Sequence, residues 1–204
     1  MSKLTLEEVS TTYFDVLKEI GNIGAGNATT ALASMLQSKV DMKVPNVMVV
    51  EFKDVGTLLG GEEQEMAGAY LGVEGDITGS ILFLTKKEAA LGVAKKLLGE
   101  YCGDELGEME CSAVKEVSNI ITGSYLNALA TLTGLTIYPS VPDLCVDMAG
   151  AILSVPAIQF GIMGDKILLI ESRLTDDIEM DGYFIMVPDM ESYEKILRSL
   201  GIPV

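Results

Sequence analysis

Two stretches of this chain set an acid and an amide three residues apart, each inside the same wider frame. Asp15, Glu19, Asn22 and Gly26 form the first, and Ser112, Glu116, Asn119 and Gly123 form the second. At roughly 100° of turn per helical residue, Asp15, Glu19, Asn22 and Gly26 fall at roughly 0°, 40°, −20° and 20°. They make one narrow polar stripe, and Leu17, Ile20, Ala31 and Met35 fall on the opposite side, where burial is expected. The second copy repeats the stripe and backs it with Val114, Val117, Ile121, Ala128 and Leu132. A carboxylate on such a face can pair with a cation, and a carboxamide can donate and accept at once and so hold a water molecule. The chain contains no histidine. Ser-His-Asp triads, Cys-His dyads, imidazole acid–base chemistry and His-ligated metals are therefore excluded. Any chemistry must come from carboxylates, amides, hydroxyls, lysines or backbone.

A polar stripe is also what the solvated side of any amphipathic helix looks like. Two details favour a working surface. Asn is a mediocre helix former, so an indifferent face does not need it at matched positions in both copies. The glycine four residues beyond each Asn costs about 1 kcal/mol relative to Ala inside a helix, which makes sense if another molecule's backbone approaches there. Shared ancestry of the two copies is the competing explanation for part of the match.

That ancestry is legible in the chain itself. Glu19-Ile20-Gly21-Asn22-Ile23 recurs 97 residues on as Glu116-Val117-Ser118-Asn119-Ile120. The same spacing carries Ala31-Leu32-Ala33 onto Ala128-Leu129-Ala130 and Val44-Pro45-Asn46 onto Val141-Pro142-Asp143. Each half has the same coarse order: a long helix (about 7–37 and 108–133), a strand after a Pro (about 46–54 and 143–155), further β-rich runs, and a closing helix. The β-rich runs are 66–74 and 77–85, then 158–171 and 183–187, and the closing helices 86–98 and 189–200. The expected fold is α/β: two α-β-β-β-α halves, about 1–103 and 104–204, related by a pseudo-two-fold and sharing a largely antiparallel sheet flanked by helices. The halves are expected to form a single domain, joined through the acidic stretch 99–108.

Lys+Arg number 14 against Asp+Glu 30, a formal charge of −16. A surface that acidic repels phosphate backbones and anionic lipid, so neither nucleic acid nor membrane is an expected partner. The opening Met1-Ser2-Lys3-Leu4-Thr5-Leu6-Glu7-Glu8 does not resemble a signal peptide, and no apolar run reaches the ~18 residues that span a bilayer. Cys102, Cys111 and Cys145 match no metal or redox spacing, and a cytoplasmic, reducing location with an inert thiol at Cys111 is expected. No metal site is expected on this chain. The run Gly21-Asn22-Ile23-Gly24-Ala25-Gly26-Asn27 is not a phosphate loop, because it lies inside a helical pattern and lacks the G-x-G-x-x-G spacing. Close helix packing accounts better for Gly21 and Gly24.

The pattern Asp15-x-x-x-Glu19-x-x-Asn22, then 22 residues to Pro45, resembles the signature of the CheC/CheX/FliY family of chemotaxis phosphatases. Ser112-x-x-x-Glu116-x-x-Asn119, again with 22 residues before Pro142, matches it a second time. The resemblance covers essentially the whole chain and implies a protein substrate, the aspartyl-phosphate form of the response regulator CheY. It implies that Asn22 or Asn119 holds the attacking water and that Glu19 or Glu116 docks on a lysine beside the phosphorylated residue. The Mg²⁺ then belongs to the regulator, and the chain needs no cofactor of its own. It also implies a second partner, the receptor-modifying deamidase CheD. Asp15 and Ser112 either orient the Glu and touch the partner or serve the first helical turn as caps, and the sequence leaves both open. Pro45 and Pro142 are expected to be structural, ending the helix-to-strand connection.

Two other readings belong to different classes. The fold also resembles the middle domain of flagellar switch proteins, which would make the chain a non-enzymatic binding module. A carboxylate-based hydrolase of sugars or small molecules, pairing Glu19 with Asp15 or Glu116, would need a deep two-carboxylate pocket that one exposed helix face does not make.

Overall fold

A computed structural model describes residues 11–160, 166–175 and 180–201. The predicted helix start at residue 7 lies outside them. Helix α1 spans Thr11–Leu36 and its counterpart α4 spans Glu108–Thr133, 26 residues each. Both end where the chain turns left-handed, at Gln37 (φ 50°) after α1 and at Gly134 (φ 69°) after α4. At the start of α4 the carboxylate of Glu110 accepts from the backbone N–H of Gly103 (2.7 Å) and of Gly107 (3.1 Å). It satisfies a helix-terminal amide and ties down the segment that joins the halves.

The strands are β1 (Asp41–Glu51), β2 (Glu65–Gly75), β3 (Gly79–Lys86), β4 (Ile137–Pro139), β5 (Asp143–Met148), β6 (Lys166–Thr175) and β7 (Met180–Pro188). They form one sheet in the order β1-β6-β7-β3-β2-β4, with β5 also pairing β2, and every pairing is antiparallel. With β4 and β5 as the counterpart of β1, β6 of β2 and β7 of β3, the order reads the same from either edge. The first strand of each half therefore pairs with the second strand of the other half. The remaining helices are α2 (Val55–Leu58), α3 (Lys87–Leu98), α5 (Ala149–Phe160) and α6 (Met190–Ser199).

Three details differ from the sequence reading. Each half carries an additional helix, α2 after β1 and α5 after β5, so the order is α-β-α-β-β-α in the first half and α-β-β-α-β-β-α in the second rather than α-β-β-β-α. The strand expected over 143–155 stops at Met148, and the β-rich run expected from 158 is helical to Phe160. Apolar runs of this length do not distinguish a buried strand from a buried helix. Pro45 does not precede the strand but lies within β1, where the register with β6 slips between Lys43 and Asn46. An edge strand with a bulge is where a residue lacking an N–H is tolerated.

The sheet buries both faces. On one, Ile81, Phe83, Ile170 and Phe184 meet Ile20, Ala25, Leu32, Val117, Ile121, Tyr125 and Leu129 of α1 and α4. On the other, Leu82, Leu84, Leu169 and Ile185 meet Val55 of α2 and Ile152 and Leu153 of α5. The alternation of neighbours such as Leu82 and Phe83 between the two clusters follows from the two-residue period of a strand. Each fully buried Leu, Ile or Phe stabilises the fold by about 1.5–3 kcal/mol, so α1 and α4 are held firmly by their inner faces.

Candidate functional site

Six buried positions of α1 have buried counterparts on α4. Ile20, Gly21, Gly24, Ala25, Ala28 and Leu32 are buried, and so are Val117, Ser118, Ile121, Thr122, Tyr125 and Leu129, each 97 residues further on. Small residues let α1 settle closely. A Cβ on Gly24 would lie 2.9 Å from Tyr125 Cα, and one on Gly21 would lie 3.2 Å from Val44 Cγ1 of β1. Gly24 thus serves helix-to-helix contact and Gly21 helix-to-sheet contact, within a continuous helix and not in a phosphate loop. Tyr125 is fixed in turn by a 2.6 Å hydrogen bond with Ser172 and by its ring against Phe184. Burial, only partly offset by that hydrogen bond, pushes its phenol up to about 12.

The opposite faces carry the predicted stripes. Glu19, Asn22 and Gly26 are exposed on α1; on α4 Ser112 and Glu116 are exposed and Asn119 and Gly123 half-buried. Asp15 lies in the first turns of α1, and its side chain is outside the described residues. Among the described residues, the side chains of Glu19, Asn22, Glu116 and Asn119 have no hydrogen-bond or ion-pair partner. A Cβ on Gly26 or on Gly123 would meet nothing within 4 Å, so neither glycine is required by internal packing. Of the residues expected to back the stripes, Leu17 and Met35 are half-buried, Ala31 is exposed and Leu132 is 42% exposed. Leu132 sits at the C-terminal end of α4, where the sheet no longer covers every position the period assigns to the inner face, whereas Ala31 is exposed although Leu32 and Leu36 beyond it are buried.

The sequence did not single out Glu110 or Tyr125. A Glu three residues into a helix, after Gly107, is the acid half of a capping box and was the available signal for Glu110. Nothing local marks Tyr125, whose role depends on Gly24 from the other half. The Cys111 thiol is pushed up by burial and by the Glu110 carboxylate and lies 3.6 Å from the Leu106 carbonyl, so it does not present a thiolate. Among the described residues no group of three Cys, Asp or Glu side chains could hold a metal ion, and no helix is long and apolar enough to cross a membrane.

Comparison with known proteins agrees with this layout. A model of the CheC-like family matches residues 15–49 and 109–146, which run from α1 into β1 and from α4 into β5. A Bacillus subtilis protein named CheY-P phosphatase CheC is 37% identical over 194 residues, covering 92% of this chain and 93% of that protein. The chain belongs to the CheC-like family. Solved structures extend the likeness of fold beyond close relatives. Thermotoga maritima FliY superposes with a TM-score of 0.76 at 23% identity, covering 95% of this chain and 98% of that one. The middle domain of FliM from H. pylori superposes with a TM-score of 0.69 at 13% identity, covering 94% and 99%. At these identities the likeness is one of fold.

Proposed function

We propose that this member of the CheC-like family hydrolyses the aspartyl phosphate of a CheY-type response regulator, at two equivalent sites on α1 and α4. The observation that carries the reading is a Glu and an Asn at matching positions on the outer faces of both helices, exposed except for the half-buried Asn119, without partners among the described residues, beside a glycine whose added Cβ would meet open space. An acyl phosphate is already reactive, so its hydrolysis needs mainly a positioned water and accommodation of charge. The carboxamide of Asn22 or Asn119 holds the water in line with phosphorus. The carboxylate of Glu19 or Glu116 stays off the anionic phosphoryl group and pairs with a regulator lysine, which fixes the register of docking. The Mg²⁺ that the reaction uses is expected in the regulator. Ser112, exposed one turn before Glu116, and Asp15, its counterpart, touch the regulator or orient the Glu.

The test is decay of the aspartyl phosphate on a purified chemotaxis regulator with Mg²⁺, comparing the unaltered chain with Asn22→Ala, Asn119→Ala and both together. Faster decay with the unaltered chain, abolished in the double variant, supports two water-positioning sites. Acceleration unchanged in the double variant would place the chemistry elsewhere. No acceleration, with regulator binding intact, would favour the second reading, a binding module with CheD among its partners. The likeness to the FliM middle domain is the observation on its side.

A further inference from the structure

A lysine stands beside the acid of each stripe. Lys18 precedes Glu19 and Lys115 precedes Glu116, again 97 residues apart. Cations are scarce here, 14 against 30 acids, and most of those described are committed. Seven lysines and arginines lie in ion pairs with carboxylates, and Lys96 also has a partner. Among the described residues Lys18, Lys39, Lys86 and Lys115 have none. Two of these four occupy equivalent positions on the two helices that carry the Glu–Asn stripes. Lys18 is exposed and Lys115 half-buried.

Helical geometry places them usefully. With Asp15 at 0°, Lys18 falls at roughly −60°, Asn22 at roughly −20° and Glu19 at roughly 40°. The amide therefore lies between a cation on one flank and an anion on the other, and Lys18 is one turn before Asn22 on the same side. Lys115, Asn119 and Glu116 repeat the arrangement. A lysine beside a glutamate on an exposed helix is commonly just solvated. A solvated cation in so acidic a chain, however, gains from a nearby carboxylate, and among the described residues neither lysine has taken one.

We propose that Lys18 and Lys115 are catalytic residues of the two sites, each setting its ammonium against phosphoryl oxygens of the regulator's aspartyl phosphate. The inference rests on the phosphatase reading above and deepens it. In the reaction the water oxygen bonds to phosphorus and the P–O bond to the aspartyl carbonyl breaks. The electron pair of that bond returns to the regulator's carboxylate, and the water's protons leave with inorganic phosphate and solvent. Charge spreads over the equatorial oxygens as this happens, and a cation already in place stabilises it without being consumed. The Glu on the other flank meets a cation of the regulator, so the two charges of the stripe also fix which way round the regulator docks.

The experiment isolates each site. Lys18→Gln and Lys18→Arg are made in the Asn119→Ala chain, and Lys115→Gln and Lys115→Arg in the Asn22→Ala chain. A Lys18→Gln/Lys115→Gln chain with both Asn intact is measured beside them, with Lys39→Gln and Lys86→Gln as controls for net charge. Regulator dephosphorylation is followed at several regulator concentrations, and circular dichroism checks that each variant is folded. The expected result is a fall in kcat of about tenfold for each Gln variant, the size of one charge-assisted contact made in the transition state. Arg should restore most of it, KM should change little, and the control lysines should have no effect. Gln variants within twofold of their backgrounds, or slowed no more than the controls, would overturn the proposal. A rise in KM alone would make the lysines docking contacts and overturn the catalytic assignment. Failure of the unaltered chain to accelerate decay would instead refute the phosphatase reading, a result separable from any lysine effect. If the Asn pair proves dispensable, the double lysine variant still decides the matter in a chain with both amides.

Discussion

Replacing Gly26 by alanine should make the free protein more stable and its first site worse. Gly26 is exposed on the outer face of α1, and an added Cβ meets nothing within 4 Å. With no clash to offset it, the gain is the helix-propensity difference, about 1 kcal/mol. For a chain of 204 residues that is a rise in Tm of about 2–4 °C, since each kcal/mol moves a domain of this size by that amount. Gly123 on α4 is equally open, so the double substitution should give about twice the shift. If the regulator's backbone approaches these glycines, a methyl group on each enters that contact. Overpacking of about 1–2 kcal/mol would then weaken docking by roughly five- to thirtyfold. The assay is regulator dephosphorylation by Gly26→Ala in the Asn119→Ala chain, which leaves only the first site, alongside thermal unfolding of Gly26→Ala alone. The loss should be in KM, with kcat largely kept, because the contact is equally present in the ground and transition states. A stabilised variant with unchanged KM would refute the close approach. A destabilised variant would refute the open space on which the reasoning depends.

Other substitutions read the internal packing. Gly24→Ala, two residues away, should do the opposite, destabilising the fold by about 1–3 kcal/mol despite its better propensity, because the new Cβ would sit 2.9 Å from backbone of Tyr125. Chemical denaturation of the two alanine variants side by side would show the contrast. Gln37→Gly should stabilise by about 1 kcal/mol, since Gln37 holds φ at 50° where α4 ends on Gly134. Among the described residues three carboxylates lie below their ordinary range. Asp76 is held down by the Thr136 N–H and by Lys195, and Glu110 by the N–H of Gly103. For Asp189, burial acts the other way but is outweighed by hydrogen bonds from Thr78 and Ser192. Their contribution is present above the unfolded-state range near about pH 4 and is lost as pH falls through the lower folded values. The Tm advantage of the unaltered chain over Glu110→Gln should thus hold steady from pH 8 to about pH 5 and shrink below about pH 4. An advantage that faded near pH 6 would contradict the assignment.

The amino-acid sequence determined the two long helices and the composition of their outer faces. Helical exposure has a local period, so Glu19, Asn22 and Gly26 could be assigned to one face from spacing alone, and α4 matched its predicted bounds residue for residue. The repeat told more than either copy, because a stripe that recurs 97 residues later is not explained by one solvated helix. Strand pairing has no such local signature. That β1 lies beside β6, with Asp41 opposite Thr175, is decided by burial across the whole sheet. The same non-local packing set the limits of the period: Leu132 has the right angle to be buried and the wrong height along α4. It also assigned work to residues with no local mark, Tyr125 against Gly24 above all. The chain dictates which side chains share a face. Only the folded sheet decides which faces are left for a partner, because burial depends on what the rest of the molecule brings against each helix.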